Sequence, residues 1–177
     1  MQIKFTSQAI ILLIAVITFS MYQEAPARAK RARSVKKSAT VTLPAEPDIS
    51  YAVSMSKPWT HLLEVEMHLK WPQMPPQTEL KMPVWTPGSY LVREYARHVQ
   101  DFSVKNASGK ELGWRKTNKN TWQIDTAGSS EIVAVYKVYA NELTVRTNEL
   151  NADHGFWNNG ALLMFPKDQL KAPSTVK

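Results

Sequence analysis

The chain has 177 residues and a formal net charge of +7, and 44% of its residues are hydrophobic. That length suits one domain of ordinary size plus a leader, and the composition supports a packed core rather than general disorder. The charge is local, because residues 1–40 hold seven basic residues and one acidic residue, which leaves 15 basic and 14 acidic residues elsewhere. Nucleic-acid binding by the domain is therefore not predicted. The absence of cysteine excludes disulfides, thiol nucleophiles and cysteine-ligated zinc.

The first predicted element is a secretory signal peptide at residues 1–29. A short start with one lysine precedes the apolar run Ala9–Phe19, and small residues follow at Ala25, Ala27 and Ala29. The run has eleven residues, which as a helix would span only about half of a hydrocarbon core. We therefore predict an exported protein, periplasmic or secreted, with an uncleaved membrane anchor as the alternative.

A flexible linker is predicted at residues 30–47, because this stretch lacks periodicity and contains two prolines near its end. Six basic residues at positions 28–37 follow the apolar run, an order that resists translocation. This cluster favours a solvated tail, and contact with anionic lipid headgroups is the alternative. Membrane contact is expected only through the leader.

Alternation with period two predicts strands from Ile49 onward. In residues 62–71, apolar residues at 63, 65, 67, 69 and 71 alternate with charged or polar residues, which is typical of a half-buried strand. Further strands are predicted at 79–85, 99–105, 111–116, 121–126 and 131–139, with another beginning at 175–176. Thr86–Tyr90 predicts a type II turn, Asn106–Gly109 a hairpin, and residues 90–96 a turn of helix. The sequence thus predicts an all-β domain at residues 48–177, either a sandwich or an open curved sheet of short antiparallel strands.

No catalytic or metal-binding motif is found in the sequence. A zinc peptidase helix needs HExxH, and the nearest approach, His61 followed by Glu64, has Val65 where an inverted motif needs histidine. No G-x-S-x-G elbow or phosphate-binding loop occurs either. We predict no catalytic residue, no metal ligand and no cofactor in this chain.

Two segments are unusually rich in recognition chemistry. The first segment, Pro83–Arg97, combines aromatic rings and guanidinium groups around a Pro-Gly turn, which suits stacking and bidentate hydrogen bonds. The second segment, Asn148–Phe165, places polar side chains among glycines, as in a loop held close to another surface. A locked structural turn and a long surface loop are the alternatives. The candidate residues for contact with a substrate or a partner domain are Trp85, Tyr90, Arg93, Glu94, His154 and Asn159.

These segments carry a resemblance to a known family. The stretches YAVSMSKPWTHLLEVEM, MPVWTPGSYLVREYARHVQDFS, WRKTNKNTW and VYKVYANELTVRTNELNADHGFWNNGALLMF cover most of residues 51–165. In this order they resemble the N-terminal domain of the glycyl aminopeptidase family of zinc metallopeptidases, metallopeptidase family sixty-one. Members of that family carry this β domain first, then a thermolysin-like zinc domain with HExxH, and usually a PDZ domain.

The resemblance implies a β domain that walls the substrate cleft of an exported aminopeptidase and packs on its catalytic domain. Zinc is then expected in the catalytic domain, which together with the PDZ domain is absent from this sequence. The implied partners are a catalytic metallopeptidase domain, in the same chain or from a split gene, and peptide substrates. No peptidase activity is expected for this chain alone. The alternative from another class is a free-standing exported β-sandwich that binds peptides or a partner protein.

Overall fold

A computed structural model describes residues 46–177 of the chain. The predicted signal peptide lies outside the described residues, as does the predicted linker apart from its last two positions. Within the described residues, no helix combines the length and the apolar character needed to cross a membrane.

The described residues are mostly strands, which confirms the all-β prediction. Besides the strands there are two 3₁₀ turns, Pro58–Thr60 and Tyr95–His98, and one short helix, α1 (Asn159–Leu162). The strands are β1 (Asp48–Ser54), β2 (Leu62–Lys70), β3 (Gln77–Lys81), β4 (Val99–Asn106), β5 (Trp114–Asn118), β6 (Thr121–Asp125), β7 (Glu131–Tyr139), β8 (Glu149–Leu150), β9 (Gly155–Phe156), β10 (Phe165–Pro166) and β11 (Ser174–Val176).

The strands form two open sheets and a small ribbon. One sheet has five strands in the order β11-β1-β2-β7-β4, and the other has four in the order β10-β3-β6-β5. Strands β8 and β9 form the ribbon. The pairs are antiparallel, as predicted, except that β11 runs parallel to β1.

Period-two alternation sets the register at the centre of the larger sheet. In β2 and β7 the facing pairs Leu63–Val138, Met67–Ala134 and Leu69–Ile132 are buried in the core. The intervening pairs, Glu64–Lys137 and Lys70–Glu131, bring opposite charges together on the outer face. A slip of one residue would exchange these two faces, so the alternation specifies this pairing.

The two sheets share one core, and Phe102 on β4 helps to join them. Its ring centroid lies 4.8 Å from that of Trp114 on β5 and 5.6 Å from that of Trp122 on β6. It also stacks on Tyr136 of β7 at 6.4 Å. The two sheets thus pack face to face as a β-sandwich, with aromatic rings from both sheets in contact between them.

Two tyrosines connect the larger sheet to the end of α1. The Tyr136 hydroxyl donates to the Leu162 carbonyl and accepts from the Met164 N–H, both at 3.0 Å. The Tyr51 hydroxyl donates to the Met164 carbonyl at 2.5 Å. Burial raises the pKa of both hydroxyls further above neutral pH, which keeps them as donors.

Three local predictions are wrong in their bounds. The strand predicted at 111–116 is β5, which begins at Trp114 and ends at Asn118. The strand predicted at 79–85 ends at Lys81, because Pro83 cannot donate to a ladder and the Asn120 side chain donates to the Met82 carbonyl at 2.8 Å. The helical turn predicted at 90–96 is the 3₁₀ turn Tyr95–His98, which leads directly into β4.

Candidate functional site

The first segment begins with the predicted type II turn. The Ser89 N–H donates to the Thr86 carbonyl at 3.1 Å, and Gly88 has φ of +82°. A type II turn requires positive φ at this position, and glycine adopts it without steric cost. The turn prediction is therefore confirmed.

Beyond the turn, the chain forms a loop whose tip is apolar and exposed. The Arg93 N–H closes the loop on the Val84 carbonyl at 2.6 Å, and the Trp85 indole N–H donates to the Ser89 carbonyl at 2.6 Å. Half of Trp85 is exposed and Tyr90 is fully exposed. The apolar tip, defined as Tyr90, Leu91 and Val92, consists of three consecutive side chains that are mainly in solvent. The closing hydrogen bonds define the shape of the loop.

The last part of the first segment is anchored by Glu94 and Tyr95. An ion pair of 2.5 Å with the Lys119 ammonium, on the turn between β5 and β6, lowers the pKa of the Glu94 carboxyl. Tyr95 is buried, yet within residues 46–177 its hydroxyl has no hydrogen-bond partner. An unpaired buried hydroxyl costs stability, so this position is not optimised for stability alone.

The second segment is organised by two asparagines. The Asn148 side chain accepts from the Asn158 N–H at 3.0 Å and donates to the Ala161 carbonyl at 3.1 Å. The Asn158 side chain caps α1 by accepting from the Gly160 N–H at 2.8 Å, and it donates to the Val145 carbonyl at 3.0 Å. Asparagine is a favoured N-cap residue because its side chain satisfies a free N–H of the first turn. Part of this segment is core, with Leu150, Leu162 and Met164 buried.

The two segments meet in the folded domain. A Cβ placed on Gly160 would lie 2.6 Å from Cγ2 of Thr86, so glycine permits the turn of the first segment to approach α1 closely. The 3₁₀ turn Tyr95–His98 also lies against α1. We call the surface formed by Pro83–His98, the connecting loop 140–147 and Asn148–Phe165 the two-segment face.

Three clefts of the described residues adjoin this face: one of about 590 Å³, lined by Val84, Val92, Arg93, Glu94, Ala96, Arg97, Lys116, Asn118, Lys119 and Asn120, and two smaller ones. The first of the smaller clefts, of about 250 Å³, is lined by Tyr95, His98, Tyr139, Asn141, Glu142, Thr147, Asn148 and Ala161. The second, of about 270 Å³, adjoins it and is lined by Val92, Arg93, Glu94, Tyr95, Arg97, His98, Glu142, Thr144, Arg146 and Thr147. We call the second the arginine cleft.

His98 lies between the two smaller clefts. Its imidazole stacks on the Tyr139 ring with centroids 6.5 Å apart, and its Nε2 accepts a hydrogen bond from Arg97 Nε at 3.1 Å. Burial, and then the Arg97 charge, lower the pKa of His98. The imidazole is therefore neutral at neutral pH and adds no charge to either cleft.

Of the six residues predicted from the sequence, only Arg93 and Glu94 line these clefts. Trp85 and Tyr90 belong to the exposed loop. His154 lies at the exposed ribbon, with its Nε2 3.7 Å from Glu149 Oε2, and Asn159 is exposed at the first turn of α1. The predicted residues therefore do not form one pocket.

Sequence reasoning missed four residues that build the two smaller clefts: His98, Glu142, Arg146 and Asn148. Glu142 and Arg146 lie between the two predicted segments, in a stretch with no motif of its own. The buried Asn148 was detectable only as the first residue of the second segment. Folding, rather than any spacing in the sequence, brings Arg146 to the same cleft as Arg93 and Arg97.

A zinc site does not fit the described residues. Within residues 46–177, no three side chains of His, Cys, Asp or Glu are grouped closely enough to hold a metal ion. His61, the nearest approach to a motif, is held by a contact of 2.5 Å between its Nδ1 and the Leu150 carbonyl oxygen.

The fold is similar to part of a known protein structure. An aminopeptidase N family protein from Idiomarina loihiensis has a solved structure that matches with a TM-score of 0.67 and 29% identity, over 73% of this chain and 22% of that protein. An M1 zinc metallopeptidase from Deinococcus radiodurans matches with a TM-score of 0.40 and 13% identity, over 75% of this chain and 31% of that one, which is too distant to establish a shared fold. No curated protein matches the sequence.

The chain thus spans about a fifth of the Idiomarina protein. The sequence model of the Peptidase M61 N-terminal domain matches residues 50–177, which include both segments of the two-segment face and every strand except the start of β1. This chain belongs to the Peptidase M61 N-terminal domain family.

Proposed function

We propose that this domain is the non-catalytic part of an exported, glycyl aminopeptidase-like zinc metallopeptidase, in which the two-segment face packs on the catalytic domain and walls its substrate cleft. Zinc and the catalytic residues of that enzyme lie outside residues 46–177 in this proposal, because the described residues offer no ligand set. The partner is a metallopeptidase catalytic domain, in the same polypeptide or a separate one, and the substrates are peptides.

The observation that carries the proposal is the apolar tip. Tyr90, Leu91 and Val92 are mainly exposed, although the loop that holds them is closed by specific hydrogen bonds. Exposed contiguous apolar side chains on a defined loop are typical of protein interaction sites. In a family of peptidase N-terminal domains, the catalytic domain is the partner that best accounts for this loop.

A chimera tests the proposal. Residues 46–177 would replace the matching part of the Idiomarina loihiensis protein, and hydrolysis of a glycyl anilide would be measured. We expect turnover by the chimera and a loss of about tenfold or more in kcat/KM with Leu91→Asp, since a buried unpaired charge at the domain interface is costly.

Leu170→Asp is the matched control. Leu170 is as exposed as Leu91, at 69% against 61%. It follows β10, which is antiparallel to β3, so the chain there runs toward the start of β3 and away from the loop that follows the end of β3. We expect this variant to keep kcat/KM within about twofold, as surface substitutions usually do. A folded chimera without turnover, or equal losses in the two variants, would contradict the proposal.

Export is the second part of the proposal, and it is supported by the order of charged, apolar and small residues in the leader. Mass spectrometry of the protein isolated from its native cells should find a mature N-terminus near Lys30, in the periplasm or the medium. An intact N-terminus in the membrane fraction would instead indicate an anchor.

A further inference from the structure

The arginine cleft carries unpaired positive charge. Arg93, Arg97 and Arg146 all line it, whereas the ion pairs in residues 46–177 are made by Lys and His side chains. The side-chain hydrogen bonds of these arginines are few: Arg93 Nε donates to the Ser89 hydroxyl at 3.4 Å and Arg97 Nε to His98 at 3.1 Å. Most of the guanidinium N–H groups therefore remain available to a ligand.

Neighbouring cations are already engaged, which makes the arginines distinctive. The Lys119 ammonium is paired with Glu94, and the Lys116 ammonium lies 4.5 Å from the centroid of the Trp122 ring. Neither lysine lines the arginine cleft. Three arginines are thus grouped at one concave surface, and two of them, Arg93 and Arg97, also line the neighbouring cleft of about 590 Å³. Arginine is the side-chain type that binds carboxylates in bidentate geometry.

The charge balance of the cleft favours an anion. Three guanidinium groups and two carboxylates, those of Glu94 and Glu142, line it. Because Glu94 is paired with Lys119, the three arginines face only one uncompensated carboxylate. His98 adds no charge, because burial lowers the pKa of its imidazole. Arginine binds the planar carboxylate group in bidentate geometry, and a carboxylate is the anionic group that peptides carry.

We propose that the arginine cleft binds the carboxylate of a peptide, with Arg97 and Arg146 as the principal donors and Arg93 beside them. The carboxylate is either the C-terminus of a short peptide or an acidic side chain, and the chemistry of recognition is the same for both. As a statement about substrates this inference rests on the proposed function, since only an adjacent catalytic domain makes the bound peptide a substrate. The binding itself is a property of this chain and is measured without that domain.

Calorimetric titration of the full chain with triglycine tests the proposal, with triglycinamide as the uncharged analogue. Triglycine should bind at least about tenfold more tightly than the amide, because hydrogen bonds from a guanidinium group to an ionised carboxylate are stronger than those to a neutral amide. Arg97→Ala and Arg146→Ala should each weaken triglycine binding by about tenfold. Arg115→Ala is the matched control and should have no effect, because Arg115 lies on β5 outside the cleft and bonds to Gln123 at 2.8 Å.

Two further ligands distinguish the sources of the carboxylate and the competing anion. Tight binding of triglycine alone assigns the site to a peptide C-terminus, whereas tight binding of acetyl-Gly-Glu-Gly-amide assigns it to an acidic side chain. Equal binding of triglycine and its amide would overturn the proposal, as would an Arg115→Ala effect equal to that of Arg97→Ala, or tighter binding of inorganic phosphate. None of these results depends on the Leu91→Asp assay, so either proposal can fail alone.

Discussion

The larger sheet and the two-segment face differ in how completely their buried polar groups are paired. In β2 and β7, alternate side chains are buried in the core, and the facing pairs Glu64–Lys137 and Lys70–Glu131 bring opposite charges together on the other face. The buried side-chain atoms without a hydrogen-bond partner in residues 46–177 all lie on the face instead: Thr86 Oγ1, Tyr95 Oη and Glu149 Oε2. The sheet is organised for stability, whereas the face gives up some stability, as binding surfaces commonly do.

The largest expected effect contrasts the same substitution in the two regions. Leu63→Ala should lower the free energy of unfolding by about 2–5 kcal/mol, because it removes a fully buried side chain and leaves a cavity. Leu91→Ala at the apolar tip should change it by less than about 0.5 kcal/mol. Urea unfolding followed by tryptophan fluorescence measures both, and similar losses would show that the tip is part of the core.

Features that depend on local sequence could be predicted, whereas those that depend on contacts between distant parts of the chain could not. The bounds of β7 could be read directly, because residues 131–139 form the most apolar stretch of the domain, rich in β-branched residues. The turn at Gly88 was also predictable, since its chemistry is local. Arg146, by contrast, reaches the cleft through the connecting loop, and no spacing indicates that it meets Arg93. Long-range assembly determined that part of the site.

An intermediate effect is expected where the sheet supports the face. Tyr136→Phe removes the hydroxyl that bonds both the Leu162 carbonyl and the Met164 N–H, and leaves two buried polar groups unpaired. We expect a loss of about 2 kcal/mol in the free energy of unfolding. Tyr139→Phe is the control, because the Tyr139 hydroxyl bonds only the exposed Asn141 side chain, and should change stability by less than about 0.5 kcal/mol. Chemical denaturation that finds equal losses would contradict the supporting role of Tyr136.

The smallest expected effect lies within the face itself. Asn158→Ala removes the N-cap of α1 and should cost about 1 kcal/mol. Asn159→Ala, one residue along at an exposed position, should change stability by less than about 0.5 kcal/mol. Amide hydrogen exchange at Gly160, whose N–H the cap binds, should quicken only in the first variant. Unchanged exchange at Gly160 in the Asn158→Ala variant would show that the Asn158 side chain does not stabilise α1.

Photo-crosslinking in the cells that make the protein tests the docking of the two-segment face most directly. A benzoylphenylalanine residue would be placed at position 91, in the apolar tip, and in a separate protein at position 170. The account predicts that position 91 links to a polypeptide segment near an HExxH motif, in the same chain or another, and that position 170 does not. Crosslinks to such a segment from position 170 alone, or from neither position, would contradict the account.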